Sequence, residues 1–192
     1  MSAVPKRVVV GLSGASGMPY ALDLLHTLRR VPNLETHLVM TQGAKRVLVE
    51  EAETTVEAVE ALAHAAYRSP DLGAAIASGS FRTAGMVVVP CSATTLSKIA
   101  LGLADNLLTR AAYVTLKERR PLILVPREAP LPLPSLEAMV KAAQAGATIL
   151  PASPGFYHKP QTIDALLGFI TQRILDLLGI EYPRSARWKD EG

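Results

Sequence analysis

Residues 8–17 read Val8-Val9-Val10-Gly11-Leu12-Ser13-Gly14-Ala15-Ser16-Gly17, and this stretch decides the fold class. Three consecutive β-branched residues predict a strand buried on both faces, running from Arg7 to Leu12. Glycines and serines then turn the chain. Leu22, Leu25 and Leu28 follow at a spacing of three and predict a helix from about Pro19 to Arg30. A continuous apolar strand feeding a Gly-rich turn and an amphipathic helix is how a parallel α/β sheet begins. The alternation continues outward. Glu35 to Met40 reads as a strand, and Gly43 to Ala65 as a helical region broken near Thr54-Thr55. Met86 to Val89 is a strand ended by Pro90, followed by helix from about Leu96. A helix from Asn106 to Arg119 precedes a strand from Leu122 to Val125, which is bounded by Pro121 and Pro126. Ser135 is expected to cap a helix reaching Ala145, with Gly146 as its stop. Ala147 to Leu150 and Thr162 to Leu178 are the last strand and helix, before a polar tail that carries Trp188. The expected class is α/β with a mostly parallel sheet.

The chain has 192 residues, which fits one domain. Hydrophobic residues make up 49% and charged residues 19%, a composition that excludes intrinsic disorder. A net charge of +3 with 5% aromatics, and no basic cluster interleaved with aromatics, gives no indication of a nucleic-acid binder. Cys91 is the single cysteine, so no intrachain disulfide can form and a reducing, cytoplasmic setting is expected. The apolar run after Lys6-Arg7 is too short for a signal peptide, and no stretch reaches membrane-spanning length.

In open α/β sheets, ligands bind beyond the carboxyl ends of the strands, so the residues after each strand carry the functional argument. The first turn is spaced G-x-x-G-x-x-G, unlike the dinucleotide pattern G-x-G-x-x-G. Its glycines allow close backbone approach to a ligand, and the helix N-terminus behind it favours an anion. A tight turn that packs helix on sheet would use the same residues. The second strand ends in Val39-Met40-Thr41, where NAD binders place an acid; a hydroxyl suits a phosphate or ribityl chain better. After the Met86 strand, Ser92, Thr94 and Thr95 can cap a helix, bind a phosphate, or do both. Cys91, flanked by apolar strand, reads as a small buried side chain. Arg127-Glu128 follows the Leu122 strand and can bind phosphate and move a proton, or simply form a surface ion pair. Lys117 to Arg120 end a helix, where cations also suit the helix dipole. Arg110 lies two turns earlier on nearly the same face. In the loop Pro154 to Pro160, Tyr157 can fix a phosphate or cover an apolar ligand, and His158 reads as a surface imidazole. Together these segments describe a site for phosphorylated small molecules.

Taken in order, Gly14-Ala15-Ser16-Gly17, Ser78-Gly79-Ser80, Pro90-Cys91-Ser92 with Thr95, Leu116 to Leu122 (LKERRPL), Val125 to Pro130 (VPREAP) and Pro154 to His158 (PGFYH) resemble the UbiX-type flavin prenyltransferases, formerly called aromatic-acid decarboxylases. The resemblance covers nearly the whole chain. It implies a three-layer Rossmann-like (flavodoxin-like) fold and one flavoprotein domain over residues 1–192, with a C-terminal tail from about residue 179. It also implies a homododecamer and no metal. The implied reaction transfers a dimethylallyl group from dimethylallyl phosphate to reduced FMN, bonding first to N5 and then to C6. The prenylated FMN would serve a UbiD-type decarboxylase.

On the same resemblance, Gly14, Ala15, Ser16, Thr41, Ser92, Ala93, Thr94, Thr95 and Arg127 would bind FMN, with Ser16 also near the reacting edge. Arg110, Lys117, Tyr157 and Arg173 would surround the dimethylallyl phosphate, and Trp188 would lie near the site. Cations and a phenol suit a departing phosphate, and π faces suit a cation-like allyl group. Ser16, Lys117, Glu51 and Glu128 are the catalytic candidates; either carboxylate could take the C6 proton. Because these residues come from distant segments, several are expected to meet only across subunit boundaries. An FMN-dependent cysteine decarboxylase and a non-catalytic FMN carrier are the alternatives.

Overall fold

A computed structural model describes residues 5–184. Its strands are β1 (Lys6–Leu12), β2 (Leu34–Met40), β3 (Ala65–Arg68), β4 (Gly85–Cys91), β5 (Leu122–Pro126) and β6 (Thr148–Ile149). They form one sheet in the order β3-β2-β1-β4-β5-β6, and every neighbouring pair is parallel. The helices are α1 (Met18–Leu28), α2 (Gln42–Glu51), α3 (Val56–Glu60), α4 (Ala93–Ala100), α5 (Leu107–Lys117), α6 (Leu133–Gln144) and α7 (Ile163–Leu177).

Alternation along the strands builds a core on each face of the sheet. Val8, Val10, Leu12, Val87 and Val89 pack with Leu24, Leu25 and Leu28 of α1 and with Ile170 and Ile174 of α7. Val9, Met86, Val88 and Leu124 pack on the other face with Leu96 of α4, Leu107 and Leu108 of α5, and Ala138 and Ala142 of α6. This is the expected three-layer architecture, with the strand order of the doubly wound Rossmann sheet. The valines are apolar in an unbroken run because consecutive residues face two different cores.

Several element boundaries differ from the sequence expectation. The helical region after Gly43 resolves into α2 and α3, with Thr55 capping α3 through a bond from Ala58 N (3.2 Å). Ala65, expected to close that helix, instead opens the edge strand β3. Strand β4 runs through Pro90 to Cys91, because the β4–β5 register shifts between Val88 and Cys91 and the missing proline N–H interrupts no regular ladder there. Helix α4 begins at Ala93, three residues earlier than expected. Ser135 does not cap α6. The N-cap is Pro132, three residues earlier, and the helix starts at Leu133 with Pro134 in its first turn, where a missing N–H costs nothing; Ser135 is buried within the helix. Beyond α7 the chain stays packed: Ile180 joins the core, and Lys6 Nζ donates to Gly179 O (2.6 Å). Trp188 lies outside the described residues.

The chain winds outward from β1 through β2 to β3 and then crosses back to β4. The strand order therefore reverses between β1 and β4, and a crevice opens beyond Leu12 and Cys91.

Candidate active site

Ser13 joins the two sides of this crevice. It is fully buried. Its Oγ donates to Pro90 O (2.9 Å) and accepts from Ser92 N (2.7 Å), while its own N–H also reaches Pro90 O (3.2 Å). The Gly-rich turn and the β4 turn are thus one hydrogen-bonded unit. The sequence reading passed over Ser13. The available signal was a hydroxyl at the end of an apolar strand, in a place the core would otherwise fill with a methyl group.

Gly14 touches the first turn of α2 backbone to backbone. A Cβ on Gly14 would lie 3.1 Å from Gly43 Cα, so the close approach depends on glycine. Gly17 is the N-cap of α1 with φ 117° and ψ 26°, a conformation that disfavours any side chain.

Three helix N-termini converge at the crevice. At α1, Gly17 N and Met18 N donate to Glu51 Oε2 (2.8 and 3.0 Å), so this terminus holds an anion from the chain itself. Burial pushes the Glu51 carboxyl up, but hydrogen bonds from the Ser16 hydroxyl and the two N–H groups, with the nearby Arg127 charge, hold it below its ordinary value. At α2, Thr41 Oγ1 accepts from Ala44 N (3.1 Å). At α4, Ser92 Oγ accepts from Thr95 N (3.3 Å) and donates to Thr95 Oγ1 (3.1 Å). Capping and ligand binding are compatible here, because first-turn amides of α2 and α4 have no acceptor within their helices. Ala15 and Thr95 are buried, Ala93 is half-buried, and Thr94 is exposed.

Arg127 Nε donates to Ser16 O (2.9 Å), bringing the β5 turn over the Gly-rich turn. Arg127 and the exposed Glu128 line an adjoining cavity of about 220 Å³ with Leu131, Met139, Ala152 and Ser153. Cys91 is buried, and burial pushes its thiol up to about 12. It is a neutral packing group, as expected.

The remaining candidates are held by contacts outside the three convergent turns. Lys117 ends α5 and precedes β5, whereas Arg127 follows β5. The five residues of β5 separate them by about 16 Å of strand, so Lys117 belongs to the amino end of the sheet. It pairs with Glu118 Oε1 (2.7 Å) beside Gly79. Arg110 Nε donates to Ala77 O (3.3 Å) and Arg120 holds Gly79 O and Phe81 O, so α5 and its exit clasp the loop containing Ser78-Gly79-Ser80. Tyr157 meets Phe169 edge-on, with centroids 5.8 Å apart. His158 is not a surface imidazole: its ring stacks on Phe169 (5.5 Å, 4°) and its ring nitrogens are buried. Arg173 lies near the end of α7 and pairs with Asp176 (3.2 Å).

Among the described residues there is no group of three or more His, Cys, Asp or Glu side chains placed to hold a metal. No described helix is long and apolar enough to cross a membrane.

Residues 2–174 match the model of the Flavoprotein family. The chain is 55% identical over 187 residues to the flavin prenyltransferase UbiX of Deinococcus radiodurans, covering 97% of this chain and 95% of that protein. The chain belongs to the UbiX flavin prenyltransferase family. Solved structures agree. AnUbiX (PadA1) in complex with FMN and dimethylallyl pyrophosphate superposes with a TM-score of 0.94 at 41% identity, covering 98% of this chain and all of that one (100%). The dodecameric FMN-dependent Ubix-like decarboxylase of Escherichia coli O157:H7 gives 0.93 at 45% identity, with 95% and 99% covered. Membership in this family favours neither the cysteine decarboxylase nor the carrier.

Proposed function

We propose that this protein is a flavin prenyltransferase that moves a dimethylallyl group from dimethylallyl phosphate to reduced FMN. The observation that carries the reading is the crevice itself, where residues 14–17, 41–43 and 92–95 converge at the switch point under Arg127. It fits FMN. Gly14 and Gly43 form a wall without side chains, Thr41 and Ser92 offer hydroxyls, and the α2 and α4 termini suit a phosphate. The α1 terminus, filled by Glu51, is not the phosphate site. Reduced FMN supplies nucleophilic N5 and C6 positions when bound.

Ser16 lies beside the ionised Glu51, whose carboxyl its hydroxyl helps to hold below the ordinary value, and we assign that hydroxyl to the reacting edge of the flavin. A proton arriving at Ser16 has Glu51 as its acceptor. Glu128, at the adjoining cavity, is the second candidate base. Lys117, Arg110, Tyr157 and Arg173 are assigned to the dimethylallyl phosphate, where their positive charge and the phenol stabilise the leaving phosphate. Lys117 and the crevice lie at opposite ends of the sheet, so we assign the complete site to subunits meeting in a homo-oligomer, a dodecamer as in the E. coli relative. Trp188 is proposed as an aromatic wall near the allyl group. The whole chain is read as one domain working in the cytoplasm, its product passing to a UbiD-type decarboxylase.

The deciding experiment is mass spectrometry of the flavin after anaerobic incubation of the protein with reduced FMN and dimethylallyl phosphate. A dimethylallyl adduct is expected. Unmodified flavin would refute the proposal, and carbon dioxide released from a cysteine-terminated peptide would favour the decarboxylase.

A further inference from the structure

The α5 face of the sheet carries a buried polar cluster that the proposed reaction does not use. By the two-residue period of strands, Arg7, Glu35 and His37 share this face with Val9 and Val39, which pack in the same core as Tyr67 of β3. His37 is 7% exposed. Its Nδ1 lies 2.9 Å from the Tyr67 hydroxyl, and its ring meets Phe81 edge-to-face, with centroids 4.9 Å apart. Its Nε2 is buried without a hydrogen-bond partner, 3.7 Å from Glu35 Oε2. That oxygen accepts instead from Arg7 Nε (2.7 Å), and the Arg7 guanidinium lies over the Phe81 ring (4.8 Å).

An apolar side chain would fill this place without leaving a nitrogen unpaired. What the imidazole adds is a second protonation state whose partners are within reach. With both nitrogens protonated, Nδ1 donates to Tyr67 and Nε2 to Glu35, whose carboxylate has to move only about 1 Å to close a hydrogen bond. That move draws Oε2 away from Arg7 and sets a second cation beside Phe81. The titratable and charged groups facing His37 are Glu35 on its own strand, Arg7 on β1, Tyr67 on β3 and His64 just before β3. Burial above all, helped by the charges of Arg7 and His64, holds the imidazole below its ordinary 6.5 against the pull of Glu35. The ring is therefore neutral at neutral pH and charges only as the pH falls beneath 6.5.

Phe81 belongs to the loop that meets Lys117. Arg120 holds both Phe81 O (2.8 Å) and Gly79 O (2.6 Å), and Phe81 N donates to Ser78 O (3.2 Å). A Cβ on Gly79 would lie 3.1 Å from Lys117 Nζ. Ser78 and Ser80 share a hydrogen bond between their hydroxyls at the exposed tip (2.9 Å). The Phe81 ring is the half-buried base of this loop, and it rests against His37 and Arg7. We infer that His37 is a positioning residue for substrate binding: its neutral ring seats Phe81, and through Phe81 the Ser78–Ser80 loop beside Lys117, whereas protonation unseats that loop. The consequence for turnover rests on the prenyltransferase reading; the consequence for the loop does not.

The test compares the full-length wild type with His37→Gln, which keeps a partner for Tyr67 but cannot charge, and with Phe81→Leu, which removes the seated ring. Dimethylallyl phosphate itself takes up a proton at about pH 6, so the readout is the difference between the profiles. From about pH 7.5 to about pH 5.5, the wild-type KM for dimethylallyl phosphate is expected to rise about tenfold more than that of His37→Gln, within the hundredfold that a misplacement of about 1 Å can cost. FMN affinity should follow pH alike in both proteins. Amide hydrogen exchange at residues 78–81, corrected for its intrinsic pH dependence, should quicken in acid in the wild type and not in His37→Gln. Phe81→Leu should raise KM at neutral pH and lose the excess rise in acid. A folded His37→Gln with the wild-type KM profile or the wild-type exchange would overturn the inference. So would a wild-type FMN affinity that falls in step with the KM effect, or failure of both variants to fold, since each gives His37 a purely structural role. If His37→Gln alone fails to fold, a wild-type KM profile in Phe81→Leu overturns the inference and a flattened one supports it. If the wild type made no prenylated flavin while exchange at residues 78–81 still followed His37, the function reading would fail and the positioning role would stand.

Discussion

Replacing Ser13 by alanine removes a buried side chain that ties the Gly-rich turn to the β4 turn. The substitution deletes a bond to Pro90 O and the acceptor of Ser92 N, which lie 2.9 and 2.7 Å from Oγ. Pro90 O keeps the Ser13 N–H at 3.2 Å, so its loss is partial. Ser92 N–H is left unpaired at a half-buried position. An unsatisfied buried group costs about 1–3 kcal/mol and a lost hydrogen bond about 1; allowing for the retained bond, we expect about 2 kcal/mol. For a domain of this size each kcal/mol moves the melting temperature by about 2–4 °C, so a fall of about 4–8 °C should follow. The function should suffer by a related route. The free variant relaxes by letting the two turns part, and FMN must draw them together again. If most of the penalty returns on binding, about 1.4 kcal/mol, FMN affinity drops about tenfold. Ser92→Ala is the control for stability alone, because it loses the α4 cap, worth about 1 kcal/mol, and the bond to Thr95 Oγ1 but leaves the Ser13–Pro90 bond; its hydroxyl is assigned to FMN, so it is left out of the affinity comparison. The assays are thermal melts of the flavin-free protein at one fixed concentration and titration of FMN fluorescence. A Ser13→Ala protein that melts and binds FMN like the wild type would refute the reasoning.

Glu51→Gln should cost about 0.5–1 kcal/mol of stability, the worth of a charged helix N-terminal partner. Because hydrogen bonding holds the folded carboxyl below its ordinary value, this contribution is complete above the ordinary carboxylate range and fades as pH falls through the lowered value. Melts of wild type and variant should therefore converge in acid, and a gap that persists there would contradict the assignment. Lys117→Ala should weaken use of dimethylallyl phosphate far more than FMN binding, measured by steady-state kinetics and flavin titration; equal losses would remove Lys117 from the substrate site. Glu128→Gln with FMN binding retained should slow turnover, and an unchanged rate leaves Glu51 as the base. Cys91, with its thiol pushed up to about 12 by burial, should resist thiol reagents in the native protein and react only as fast as the protein unfolds.

The sequence revealed what depends on runs and punctuation. Val8 to Val10 and Met86 to Val89 face two cores, so their unbroken hydrophobicity named them as central parallel strands. Strand β3 escaped because Ala65 to Arg68 is a short edge strand with alternating exposure, preceded by alanines that continue a helical pattern. Ser135 misled because capping preference is a local signal, whereas prolines at 132 and 134 set the start of α6 by removing donors. The same division runs through the site. Gly14 to Gly17, Thr41, Ser92 to Thr95 and Arg127 each follow a strand, and parallel strands put all their carboxyl ends together, so topology alone assembles them. Lys117 precedes its strand, and that one fact sends it to the far end of the sheet. No spacing rule within one chain can bring it back, which makes a second subunit the natural source of the cation. Glu51 shows the opposite case. It follows no strand, yet the length of α2 carries it back to the N-terminus of α1, where its charge fills the anion site that the Gly-rich turn advertised. On the proposed function, the turn would therefore serve FMN through its backbone and through Ser16, and the phosphate would fall to α2 and α4.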